Sequence, residues 1–179
     1  MTSPGASHST PHVEPWLRGP VDGVDPYLQP AAHALLHAAE DVSRALAPLS
    51  PQELAATPGG AASVSFHARH LAGSLDRLFT YARGEALSAA QRDALAAEKQ
   101  QPPDESAERL AALVREGVER ALAQLRATPR ASLLEARKVG RAGLPSTVLG
   151  LLFHAAEHTQ RHAGQLVTTA KIVRALGAP

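Results

Sequence analysis

The sequence predicts an all-α protein, a four-helix bundle preceded by an N-terminal arm. Aromatic residues make up only 3% of a chain that is 44% hydrophobic. The apolar content is therefore mostly Ala and Leu with some Val, residues that favour closely packed helices over strands rich in β-branched and aromatic side chains. Four long stretches repeat their apolar residues at helical spacing, and Pro or Gly marks the breaks between them. A fold of this kind often builds metal sites from facing helices.

Residues 1–25 are rich in Pro, Gly, Ser and His and read as an arm without its own core, with residues 26–179 as the domain. Trp16, with Leu17 and Tyr27 nearby, is the candidate anchor pinning part of the arm onto the domain, the alternative being a solvated tail. Pro30 suits the first turn of a helix, and Leu35, Leu36, Ala39, Val42 and Leu46 then recur at helical spacing until Pro48. Ser50 with Glu53 predicts a capped extra turn, which Pro58-Gly59-Gly60 ends. The second long helix covers residues 62–82, with Val64, His67, Leu71, Ser74, Leu75, Leu78 and Ala82 on one face and Gly84 as its stop. Ser88 and Gln91 cap a short helix over 88–98, before Gln-Gln-Pro-Pro breaks the chain. Asp104 or Ser106 caps the third long helix, whose Leu110, Leu113, Val114, Val118, Ala121, Leu122 and Leu125 keep period to Thr128-Pro129. Residues 130–144 read as a connection, with an extended piece at 133–139. Pro145 opens the last helix, which runs to about Leu176 with Leu149, Leu152, Ala156, Thr159, Ala163, Leu166, Ala170 and Val173 as its stripe.

Charge and composition exclude several functions. The net charge of +1 gives no field that would recruit nucleic acid, an anionic membrane or a polyacidic partner. No apolar run approaches the roughly 18 residues that a bilayer span needs, and the first residues carry neither a basic nor an apolar leader segment. A cytoplasmic protein is the expectation. With no cysteine in the chain, disulfides, thiolate metal sites and a cysteine nucleophile are absent, so any metal must sit on His, Asp or Glu.

Histidine placement carries the chemistry. His158 and His162 are four apart on the last helix and project to the same side, a two-point clamp for a metal ion. A third imidazole from another helix would complete a three-ligand site with an open coordination position, the arrangement of catalytic rather than structural metals. At roughly 100° per residue, His158 and His162 flank the apolar stripe of the last helix. On the second helix His70 also flanks its stripe while His67 lies nearer the centre, so either could meet the pair. His154 extends the ladder to 154, 158 and 162, which leaves either adjacent pair as the clamp. His33 and His37 make another such pair, read as satisfied or solvent-flanking, and His8 and His12 in the arm as solvated. Metallopeptidases place a glutamate after the first histidine of such a pair; here that position is Thr159, although Glu157 on the other side is able to hold an outer hydrogen bond. Asp76, Arg77, Glu40 and Asp41 read as a solvated face, and no general base stands out. All-imidazole ligation suits zinc, nickel, copper or iron(II).

The segments FHARHLAGSLDRLFTYARGE (66–85) and LLFHAAEHTQRHAGQL (151–166) resemble the DinB/YfiT-like superfamily of metal-dependent enzymes, over about residues 26–175. The resemblance implies a four-helix bundle in up-down-down-up order and a divalent metal, zinc or nickel, held by three histidines. It places one ligand in a His-(Leu/Ile)-Ala element on the second helix, at His70, and two at His158 and His162. It also implies chemistry on a low-molecular-weight thiol such as mycothiol or bacillithiol. Three readings follow: a metal-dependent S-transferase or hydrolase acting on a small molecule, a metal-binding stress protein without catalysis, and a helical interaction module in which the histidines are incidental. Homodimerisation through a helix face is a further expectation, and a role in DNA repair has no support in the balanced charge.

Overall fold

The computed structural model describes residues 13–100, 102 and 105–177, and they are predominantly helical. In chain order the elements are α1 (Gln29–Leu46), α2 (Pro51–Ala55), α3 (Val64–Ala82), α4 (Ala89–Ala97), α5 (Ala107–Ala127), the strands β1 (Ala136–Val139) and β2 (Leu144–Thr147), and α6 (Val148–Gly177). Serines set most of the starts. Ser50 and Glu53 form the reciprocal cap of α2, Ser63 accepts from the Phe66 amide to begin α3, and Ser88 with Gln91 repeats the reciprocal cap at α4. Ser106 caps α5; Asp104, like His8 and His12, lies outside the described residues.

Pro145 does not open the last helix. It pairs with Lys138 in the antiparallel hairpin of β1 and β2, and α6 begins three residues later. In a two-stranded sheet each strand is an edge, where a residue without an N–H is tolerated. Thr147 caps α6 instead, its hydroxyl accepting from the Gly150 amide at 3.0 Å. The extended piece is shorter than 133–139: Leu133 is a buried turn residue and β1 starts at Ala136. Gly140 and Gly143, at φ of 67° and 60°, make the tight connection between the strands.

Two apolar clusters fill the interior. One gathers Leu28, Leu35, Leu75, Phe79, Leu122, Leu125, Leu151 and Leu152; the other Val42, Leu46, Val64, Leu71, Leu110, Val114, Leu166 and Val173. The beginnings of α1 and α6 thus meet the ends of α3 and α5, and at the opposite end the relation is reversed. α1 and α3 each pack along both α5 and α6.

The described part of the arm lies against α1, but not through its aromatic residue. Trp16 is 58% exposed and Tyr27 64%, whereas Pro15 and Val24 are buried. Arg18 holds Glu40 of α1 through two guanidinium nitrogens, and the Gln29 amide bridges the Val21 amide and carbonyl. Ion pair and amide clamp therefore do what the indole was expected to do. Among the described residues no helix is long and apolar enough to cross a membrane.

Candidate metal centre

α3 and α6 run antiparallel where their histidines meet, so rising numbers on one face falling numbers on the other. His67 faces His162 with their Nδ1 atoms 3.1 Å apart, and His70 faces His158 with their Nε2 atoms 3.1 Å apart. The i,i+4 spacing on α6 stacks His158 and His162 one turn apart, ring centres 4.5 Å from each other, and His70 sits 4.4 Å from His162 by the same measure. One ligating nitrogen from each of His70, His158 and His162 lies within 4.8 Å of the others.

Each ring differs in what holds its far side. His70 Nδ1 donates to Glu98 Oε2 at 2.8 Å, and Phe66 stacks on its face with ring centres 5.4 Å apart and planes 9° from parallel. Arg77 donates to the other oxygen of Glu98, and Arg69 donates to the Glu98 carbonyl and to the Glu105 carboxylate. His67 engages His162 Nδ1, leaving Nε2 as that ring's free nitrogen. His158 Nδ1 is buried with no hydrogen-bond partner among the described residues.

Burial disfavours charge on three of these rings. Burial, aided by the neighbouring His70, lowers His158 and His67; burial together with His70, His158 and His67 pushes His162 down to about 4. Burial alone would raise the Glu98 carboxyl, but hydrogen bonds from His70 and Arg77 outweigh it and hold the group below the usual carboxylate range. Near neutral pH His158 and His162 therefore keep their lone pairs, as a metal requires. The His70 and His158 nitrogens, 3.1 Å apart, are near enough for both to hold one ion, which they would share with His162. Three convergent imidazoles, one with a carboxylate behind it, fit a divalent ion of borderline softness.

The candidate positions thus sort cleanly. His70, His158 and His162 converge; His67, the alternative on α3, touches the cluster from behind rather than lying apart in the core. His154 leans outward, 51% exposed along its side chain and paired with Glu157, so the pair that meets the α3 histidines is 158 and 162. Glu157 reaches His154 and Arg161, not His158. His33 meets the Gly19 carbonyl at 3.0 Å and His37 meets Asp41 at 3.4 Å. Thr159 is fully buried within the core stripe, where it cannot serve as a general base. Arg77, expected on a solvated face, is instead inside the Glu98 network. Sequence reasoning missed Glu98 altogether. Its only local signal is a carboxylate directly behind a run of alanines on a short helix.

Comparison with known proteins places these elements in a family context. The family model for the DinB superfamily matches residues 34–166, which include all three histidines. A crystal structure of a protein from Exiguobacterium sibiricum assigned to the DinB family superposes with a TM-score of 0.65 at 16% identity, covering 87% of this chain and 97% of that one. At that identity the likeness speaks for the fold alone. No curated protein matches the chain.

Proposed function

Because the chain belongs to the DinB superfamily, we propose that it is a metal-dependent enzyme in which His70, His158 and His162 hold one divalent ion, zinc or nickel. The observation carrying this reading is the convergence of three ligating nitrogens within 4.8 Å from two antiparallel helices. The reaction is S-transfer with a low-molecular-weight thiol, or hydrolysis at the same centre. When bound, the ion would supply Lewis acidity and a vacant position at which a thiol or water loses its proton more readily. His70 presents Nε2 because Glu98 keeps its proton on Nδ1. The chain has no cysteine, so the sulfur belongs to the cosubstrate.

The order of the helices is up-down-down-up in a four-helix bundle, a reading supported by the two clusters, in which α1 and α6 run one way and α3 and α5 the other. The domain spans 26–179, with 1–25 as arm. A small molecule in the cytoplasm is the partner; the net charge of +1 supports a role without nucleic acid or membrane.

Elemental analysis of protein purified without a nickel column tests the reading. About one divalent ion per chain is expected, with loss in His158→Ala while the helical circular dichroism is kept. Wild-type protein without stoichiometric metal would sink it. Metal-loaded protein that transfers no thiol, whether glutathione, mycothiol or bacillithiol, to an electrophile removes the transferase reading and leaves hydrolysis.

A further inference from the structure

α4 is a helix without a core of its own. Of its residues, Gln91 alone is half-buried and the rest are exposed, Leu95 at 44%. A cleft of about 610 Å³ lies beneath it, between Ala94 and Ala97 on one side and Ala72, Gly73 and Leu113 on the other. On its other flank a cleft of about 770 Å³ opens toward Tyr81 and the hairpin. A helix of nine residues is too short to be stable by itself, so something must dock it.

The docking is polar and sits at the two ends. At the start, Gln91 Nε2 donates to Asp76 Oδ2 at 2.6 Å and to Thr80 Oγ1 at 2.8 Å. At the end, Glu98 is only 8% exposed and inserts its carboxylate between His70 and Arg77, while Arg69 donates to its carbonyl. The carboxylate occupies a notch that a glycine leaves open: a Cβ on Gly73 would lie 2.6 Å from Glu98 Oε1 and 2.9 Å from Arg77 Nη1. One contact, Glu98 to His70, therefore belongs both to the histidine cluster and to the fastening of α4.

We propose that Glu98 is the positioning residue of the metal centre and that α4 is a strap whose docking is coupled through it to metal occupancy. The proposal rests on the metal reading above. By accepting from Nδ1, Glu98 fixes the His70 tautomer and ring orientation, with the Nε2 lone pair aimed at the cluster. With Nε2 coordinated, the Nδ1–H becomes a stronger donor, so the carboxylate and the helix end attached to it are held more tightly. The coupling is reciprocal: whatever factor metal contributes to docking, docking contributes to metal affinity.

The test uses the full chain, with zinc as the probe, and the variants Glu98→Gln, Glu98→Ala and His158→Ala. Competition with a chelator should show Glu98→Ala weakened by about 10–100-fold. Glu98→Gln should fall between it and wild type, because its amide oxygen still accepts from Nδ1–H. Zinc should slow amide exchange across residues 89–97 in wild type and not in Glu98→Ala, and His158→Ala should exchange there like metal-free wild type. Zinc affinity of both Glu98 variants within about two-fold of wild type, or unchanged exchange in 89–97 on loading, overturns the proposal. Should wild type take up no zinc, the metal reading fails and the 15N shifts of His70 in metal-free protein decide this one. Protonation on Nδ1 in wild type but not in Glu98→Ala upholds the positioning role, and the same tautomer in both overturns it.

Discussion

Gly73→Ala separates the positioning of His70 from the stability of the fold. In a helix interior Ala is favoured over Gly by about 1 kcal/mol, so on propensity alone the substitution stabilises α3. Its new Cβ, however, would lie 2.6 Å from Glu98 Oε1, against an ordinary contact of at least 3.4 Å. Both nearby atoms are the far ends of flexible side chains, so the carboxylate swings away while the α3 backbone stays. A retreat of about 0.8 Å by Oε1 carries Oε2 with it and lengthens the 2.8 Å bond from His70 by up to as much, toward roughly 3.6 Å, where it is no longer a hydrogen bond. Charge-assisted bonds of this kind contribute about 1.5–3 kcal/mol each, but the displaced Glu98 and Arg77 regain water, so the net stability change stays within about 1–2 kcal/mol. Zinc affinity should nevertheless fall by about 10–100-fold, because His70 loses the partner that orients it. Chelator competition and a thermal melt on the same sample measure the two quantities. Gly164→Ala is the control: nothing lies within 4 Å of its Cβ, so it should raise the melting temperature by about 2–4 °C and leave zinc binding alone. A Gly73→Ala protein that binds zinc like wild type would refute the reasoning.

Three further outcomes follow from the same packing. Leu166 is fully buried in the cluster nearer the histidines, so Leu166→Ala should cost about 2–5 kcal/mol in urea unfolding; a cost under about 1 kcal/mol would mean that the cluster is not packed as described. Ser88→Ala removes the reciprocal cap of α4 and should cost that helix about 1 kcal/mol, read as faster amide exchange across 89–97 with little change in the global melt; uniform acceleration over α3 and α5 would argue that α4 is not a separate unit. Metal-free protein should lose stability as pH falls from about 6.5 toward about 4: histidines of the unfolded chain take up protons near 6.5, whereas burial and neighbouring imidazoles keep folded His162 neutral until about 4 and also lower His158 and His67. Above about 6.5 both states are neutral and these groups contribute no slope. Urea midpoints that stay level across that window would contradict the burial of the cluster.

The helices were legible because they are periodic, whereas spacing left His67 and His70, and the pairs 154/158 and 158/162, open, and the resemblance chose among them. Apolar spacing placed Leu71, Leu75, Leu152 and Leu166 in the core, Ser50 and Ser88 marked the starts of two short helices, and a four-residue spacing put His158 beside His162. What stayed hidden depends on partners distant in sequence. Glu98 reaches His70 only when α4 folds back across α3, and nothing in its immediate neighbours encodes that contact. Pro145 gives the same local signal at the first turn of a helix and in an edge strand, and the short hairpin has no alternation to tell them apart. Trp16 drew attention by size, yet the arm is held by Arg18 on Glu40, a pair separated by 22 residues.

The outer contacts also bear on which ligand the vacant position would favour. Glu98 is the carboxylate that reaches the triad, and its charge is shared with Arg77 as well as with the His70 N–H. His67 brings a neutral ring behind His162, and His158 Nδ1 has no partner among the described residues. A divalent ion on three imidazoles would therefore keep much of its charge, since Glu98 is offset by the Arg77 guanidinium and Glu157 by that of Arg161. Such a centre would gain more from binding an anion than a neutral molecule, and a cation would lower the pKa of a thiol brought to it, so that the thiol gives its proton to solvent and the thiolate is the favoured form. Arg77→Ala would leave the Glu98 charge to the His70 N–H alone, lower the net charge of the centre by one, and so should weaken binding of anionic thiols to the zinc-loaded protein more than it weakens zinc binding. Equal loss of both would mean that Arg77 acts only by holding Glu98 in place.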